Sequence, residues 1–311
     1  MSGRLLVPAL VALAGFVILA VLAPTAAAIG FRVAFLVASA PVLGAAVLLL
    51  IARLTAARWA ALAPVAAAAP VVAAAAVGIG VIQLAAPPPA HLGLWQHPVC
   101  VAIRAVIVAG GLAWAQARLR RGAGATFAAI ALALYAVVVT PVASDWLLGG
   151  SAGHAVSAAG MMLVAEQVGG ACALVLVAGP GDARFRRDML KLLIAAALGL
   201  SYLIYMDFLI VWYADLPAKV VWYVDRSAPL DVVAVAAALV AGLVVPMVAP
   251  GLVGGRRGEV AAGAGALVGL AVIDLWWVGL DLVALIAALA AGAALALVAA
   301  GWQGRRADGR A

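Results

Sequence analysis

The sequence predicts an all-α, polytopic integral membrane bundle of about ten transmembrane helices. Composition is the first reason. Of the 311 residues, 68% are hydrophobic and 10% charged, against about 25% charged in a soluble domain. So much apolar surface has no room inside a water-soluble core. The second reason is periodic: the apolar residues come in runs of about 20, the length an α-helix needs to cross a bilayer. The distribution of arginine is the third, and it checks the count.

Ten runs are legible, at 5–23, 31–52, 61–85, 99–117, 125–143, 157–178, 192–213, 229–249, 260–276 and 281–300. The first, with Arg4 ahead of it and Thr25-Ala26-Ala27-Ala28 behind, has the outline of a signal peptide. Its length, and the second run so soon after it, favour an uncleaved first span. Pro64 and Pro70 lie near the start of the third run, and Pro246 and Pro250 near the end of the eighth. These positions are too near span ends to argue for the broken helices of transporters. Val260 to Trp302 is too long for one crossing and is split by a turn near Trp277–Leu280. Residues 1–311 read as a single transmembrane domain with no soluble domain and no fixed-period repeat. The abundant Ala and Gly favour close helix packing in lipid.

With the N-terminus inside, the inner segments hold Arg4, Arg53, Arg58, Arg118, Arg120, Arg121, Arg184, Arg186, Arg187, Lys191, Arg256, Arg257, Arg305, Arg306 and Arg310. That is fifteen of the nineteen basic residues. Outer segments hold Arg32, Lys219 and Arg226, and Arg104 lies within a span. This is a positive-inside pattern. A missed or invented span would reverse its sign partway, so both termini are expected in the cytoplasm. The outer loops are richer in kind. Loop 86–98 carries Trp95, His91 and His97, loop 144–156 begins Ser144-Asp145-Trp146, and loop 214–228 holds Trp222 and Tyr223.

Ionisable groups within spans cost about 2.5–3.5 kcal/mol or more at mid-bilayer, so they mark candidate chemistry. Glu166 is near the middle of the sixth span, Asp207 in the outer third of the seventh, Asp274 toward the outer end of the ninth and Arg104 in the outer third of the fourth. Asp281 opens the tenth. Each has a plainer reading. Asp274 and Asp281 suit the headgroup region. Arg104 can snorkel outward or pair with a buried carboxylate such as Asp207. Glu166, followed by Gln167, is too deep to snorkel and suits reversible proton binding. Together Glu166, Asp207, Asp274 and Arg104 form candidate steps of a proton path from the outer face to mid-membrane. Beyond Cys172 the run is apolar, so a complete path would need waters or a partner subunit.

Several chemistries are disfavoured. His91, His97 and His154 all fall in outer loops, whereas a transmembrane haem is ligated from within helices. Cys100 and Cys172 form no haem-attachment or metal spacing. No phosphate-binding loop occurs. Neither cofactor nor metal is expected, and the short basic clusters are not a nucleic-acid footprint.

The run Tyr205-Met206-Asp207-Phe208-Leu209-Ile210-Val211-Trp212-Tyr213-Ala214-Asp215-Leu216-Pro217, followed by Trp222-Tyr223 and Arg226, resembles the F-type membrane subunit (ActF) of alternative complex III, a bacterial quinol:cytochrome c oxidoreductase. The Asp145-Trp146 corner resembles a second family element, one helix pair earlier. The match covers about 40 residues. It departs from the family in the short Leu148-Gly149-Gly150-Ser151 run and at Asp207, where the family carries an amide, so the chain reads as divergent and shortened. The resemblance implies a fold distantly like polysulfide-reductase-type (NrfD-like) subunits: two four-helix bundles and a flanking helix pair. It implies a cofactor-free subunit of the bacterial inner membrane. Its partners would be a quinol-site subunit and cytochrome and iron–sulfur subunits, with a role in scaffolding and proton translocation. Asp145, Trp146, Trp212, Tyr213, Leu216, Pro217, Trp222, Tyr223 and Arg226 become its interface positions. A quinone-binding subunit, using Asp207 with Tyr205 or His97, and a stand-alone transporter or channel are the alternatives.

Overall fold

The computed structural model describes residues 3–85, 93–148, 156, 158–214, 217–279 and 281–307. Thirteen α-helices account for most of them: α1 Gly3–Leu22, α2 Pro24–Thr55, α3 Ala63–Ala66, α4 Ala69–Val81, α5 Pro98–Arg120, α6 Ala125–Trp146, α7 Ala159–Ala178, α8 Ala183–Tyr213, α9 Pro217–Val224, α10 Pro229–Leu239, α11 Val245–Leu252, α12 Gly255–Val278 and α13 Leu282–Ala307. No strand occurs among the described residues. Among the described residues, nine helical segments are long and apolar enough to cross a membrane, and the bent α3–α4 pair makes a tenth if counted as one span. The chain is a multi-pass, all-α membrane bundle.

The helices sort as two four-span bundles and a pair. In the first bundle α2 packs with α4, α5 and α6; in the second α7 packs with α8, α12 and, through α12, α10–α11. α1 and α13 lie against each other and along α2. The seam between bundles is α2 against α7, and glycine makes it possible. A Cβ on Gly44 would fall 1.7 Å from the Gln167 carbonyl oxygen, and one on Gly170 3.1 Å from the Ala40 Cβ. Backbones in lipid gain dispersion energy by such close approach, since lipid tails offer no hydrophobic drive between helices.

Two irregularities fall at prolines that the sequence reading set aside as too near span ends to argue for broken helices. The third span breaks between Ala66 and Ala69, with a bend of 42°. Pro70 has no N–H to offer the Ala66 carbonyl. The carbonyls freed nearby are taken from α13: Trp302 Nε1 donates to Ala67 O at 3.0 Å and Gln303 Nε2 to Pro64 O at 2.9 Å. In the eighth span Val240–Val244 widens into a π-helical turn. Pro246 cannot bond to Gly242, and its ring crowds that turn, which widens in response.

One end of the bundle collects arginines and the other aromatic rings. At the arginine end Arg256 donates to the Leu176 carbonyl and, at 2.7 Å, to the Val177 carbonyl, closing the C-terminus of α7. Glu259 accepts from Arg256 at 3.2 Å and from Arg186 at 2.8 Å. We expect Arg256→Ala to lower stability by about 1.5 kcal/mol. That is the low end for a charged hydrogen bond, because the side chain is partly in water. A lowered apparent Tm in detergent would show it; an unchanged one would mean water replaces the clamp without cost.

Candidate functional site

The aromatic end holds two polar clusters. In the first bundle Arg104 on α5 grips Asp145 on α6 bidentately, Nε to Oδ2 at 2.7 Å and Nη2 to Oδ1 at 2.9 Å. The Asp145 side chain is 1% exposed. Arg104 Nη2 also donates to the Trp95 carbonyl at 2.7 Å, and its guanidinium lies 4.3 Å from the Trp95 ring centroid. The expected partner, Asp207, is therefore the wrong one: Arg104 belongs to the Asp145-Trp146 corner. Trp146 is fully buried, edge-on to Phe35 at 4.9 Å. Arg32, read from sequence as an outer-segment residue, is buried inside α2, and its charge reaches Asp145.

In the second bundle the segment expected as a simple loop contains a helix, α9, opened by Pro217, whose fixed φ suits a first helical turn. It returns Trp222 to the core, where the ring meets Trp276 at 5.4 Å and Trp277 at 5.0 Å. Tyr223 donates its hydroxyl to Asp207 Oδ2 at 2.6 Å. Burial, then the bond to Asp207, push the Tyr223 pKa up, so the phenol stays a donor. Arg226 stacks 4.1 Å from the centroid of Trp222. Trp212 and Tyr213 are 68% and 82% exposed, so the two ring pairs divide the work, one outward and one inward. Leu216 and Asp215 lie outside the described residues.

Two further carboxyls, Glu166 on α7 and Asp274 on α12, lie on helices that pack directly against each other in the second bundle. Both are buried, and the charge of Asp274 acts on Glu166. Asp274 is thus enclosed by the bundle. Its Oδ1 has no hydrogen-bond partner among the described residues. Asp281, by contrast, caps α13, accepting from Val283 N at 3.3 Å and Ala284 N at 3.2 Å. Gln167, the next residue on α7, points to a different partner: its Oε1 accepts from Tyr135 at 2.6 Å. The next polar group on α7, the buried Cys172 thiol, touches only the Met189 sulfur at 3.9 Å.

The structure thus joins Glu166 to Asp274, Arg104 to Asp145 and Asp207 to Tyr223, but it does not string all four path candidates together. Sequence reading missed Tyr135, Gln83 and Gln116, all buried. Gln116 donates to the Ala46 carbonyl at 2.8 Å. A polar side chain inside an apolar run was the signal available for each. His97 caps α5, its Nδ1 accepting from Val99 N at 3.3 Å, and Tyr205 is more than half exposed. Tyr205 lines a cleft of the second bundle. Among the described residues no three His, Cys, Asp or Glu side chains gather as a metal site.

No family model matches the chain, and no curated protein matches it.

Proposed function

We propose that the chain is a cofactor-free integral membrane subunit of a respiratory quinol:cytochrome c oxidoreductase in a bacterial inner membrane. Both termini are cytoplasmic; the chain scaffolds its partners and handles protons at mid-membrane. The observation that carries this reading is convergence. The Asp145-Trp146 corner and the Trp212-to-Arg226 corner, the two stretches that resemble the F-type subunit, are braced at the same end of the bundle, in a chain that also buries the Glu166–Asp274 carboxyl pair. Two bundles with a flanking pair are also the architecture that the resemblance implies. The arginine-rich opposite end supports a cytoplasmic assignment for that end.

A stand-alone transporter draws support from the broken third span. That support is weak, because Trp302 and Gln303 occupy the freed carbonyls that a substrate or ion would use.

Trp212 and Tyr213 are large aromatic side chains left outside the bundle, the type that anchors interfaces. Replacing both by alanine should reduce cytochrome recovered with the tagged chain about tenfold, while the chain itself elutes unchanged. Haem per chain measures it. Equal haem recovery with both alanines in place would remove this corner from the docking surface.

A further inference from the structure

The second bundle is incompletely filled. A cleft of about 560 Å³ runs between α8 on one side and α10 and α12 on the other, within the size range of small-molecule sites. α8 lines it with Leu193, Ala197, Leu200, Ile204 and Phe208. From Leu193 to Phe208 the helix rises about 22 Å, more than the half-thickness of about 15 Å that one leaflet's chains occupy. The facing wall mixes branched side chains, Leu239, Leu270 and Ile273, with a low stretch at Ala266 and Gly269 on α12 and Gly242 in the π-helical turn. There Gly242 and Gly269 bring α12 and the π-helical turn together: a Cβ on Gly269 would fall 2.4 Å from the Gly242 Cα. α8 is left standing off across the furrow.

The aromatic end of the cleft is different. Tyr223, Arg226, Ser227 and Trp276 roof it, and Arg226 is the one charged residue among the described residues of its lining. Tyr223 has its proton committed to Asp207. Arg226 is held against Trp222, and its Nε is buried with no hydrogen-bond partner among the described residues. Outside this arginine stand two carboxylates whose charges reach it, Asp225 and Asp231. Asp225 is exposed and Asp231 half-buried. Arg226 lines the apolar cleft, whereas neither of the two carboxylates that act on it does.

We propose that this cleft is a specific site for a phospholipid with an ammonium headgroup: one acyl chain lies in the furrow, the phosphate meets Arg226, and the ammonium meets Asp225 and Asp231. A guanidinium and a phosphate match in geometry and charge. The two carboxylates attract an ammonium, whereas a glycerol headgroup offers them only hydroxyls and leaves its phosphate charge unbalanced beside them. The site belongs to the chain alone and requires no partner subunit, so it stands or falls separately from the functional proposal above.

Native mass spectrometry of the full chain in detergent tests it. The titrant is an equimolar mixture of phosphatidylethanolamine and phosphatidylglycerol with the same chains. The wild type should retain one phosphatidylethanolamine in preference. Arg226→Gln should weaken retention of either lipid about tenfold, the loss expected for one charged hydrogen bond. Asp225→Asn with Asp231→Asn should erase the preference while binding persists. Ala197→Phe should fill the furrow and abolish retention; elution as a single species checks its fold, and the arginine and aspartate variants decide the matter if it fails that check. Preference for phosphatidylglycerol in the wild type, unchanged retention in Arg226→Gln, or displacement of the lipid by equimolar decylubiquinone would each overturn the proposal.

Discussion

Asp145→Ala is expected to cost about 3–5 kcal/mol, the largest loss of stability from any single side chain discussed above. Asp145 is almost wholly buried and takes two hydrogen bonds from Arg104, with the charge of Arg32 acting on it as well. Removing the carboxylate leaves two guanidinium groups in the upper part of the first bundle without it. Uncompensated buried charge costs far more than a paired charge contributes. The double variant Arg104→Met, Asp145→Leu should therefore be more stable than Asp145→Ala alone, because it removes Arg104 with its partner and leaves only Arg32 uncompensated. Denaturant unfolding in detergent, followed by tryptophan fluorescence, measures both. An Asp145→Ala protein within about 0.5 kcal/mol of the wild type, the usual span for an unimportant surface change, would show that water already solvates this corner.

Glu166→Gln should slow proton-coupled turnover of the assembled complex by about 10²-fold, the scale of losing one positioned proton-transfer group. Assembly should be intact, since glutamine keeps the shape and can still hydrogen-bond. The reason is the pair. Glu166 and Asp274 lie buried and electrostatically coupled on neighbouring helices, and one Asp274 oxygen lacks a protein partner among the described residues. Two buried carboxyls that sense each other are suited to sharing one proton. Asp274→Asn should give a similar defect. The double variant should be little worse than either single one, because both act in the same step. The measurement is proton uptake and quinol-driven turnover in liposomes. Unchanged proton movement in Glu166→Gln would take this residue out of any path.

The spans were the most legible part of the molecule, because lipid demands continuous backbone bonding and long apolar runs announce it. Each of the ten runs read from sequence has its helical counterpart, and the turn placed near Trp277–Leu280 falls at Gly279, whose φ of 150° few other residues adopt. The helix breaks were less legible. Pro70 and Pro246 signalled them, but whether a proline kinks, widens or merely opens a helix depends on what neighbouring helices offer the freed groups. Here Trp302 and Gln303, more than 230 positions away, decide it for the third span.

The site was half legible. Ionisable residues in apolar runs pointed to Glu166, Asp207, Asp274 and Arg104, and all four take part in polar contacts or fields within the bundle. Their pairing was not readable. Arg104 and Asp207 share a depth along the helix axis, which suggested a pair, but they sit in different bundles. Asp145 looked like a loop residue because it ends a run, whereas α6 continues helically through Trp146 and turns Asp145 inward. Depth follows from position in a run; azimuth follows from packing partners that a single sequence does not reveal.

The central claim is that this chain works as a docked subunit of an electron-transfer complex. Purification of the tagged, unmodified chain from its own membrane in mild detergent, followed by a reduced-minus-oxidised absorbance spectrum of the eluted peak, tests it most directly. The account predicts cytochrome bands in the same peak as a chain that itself binds no haem. A chain that migrates alone, with no haem absorbance under conditions that keep other respiratory complexes whole, would contradict it.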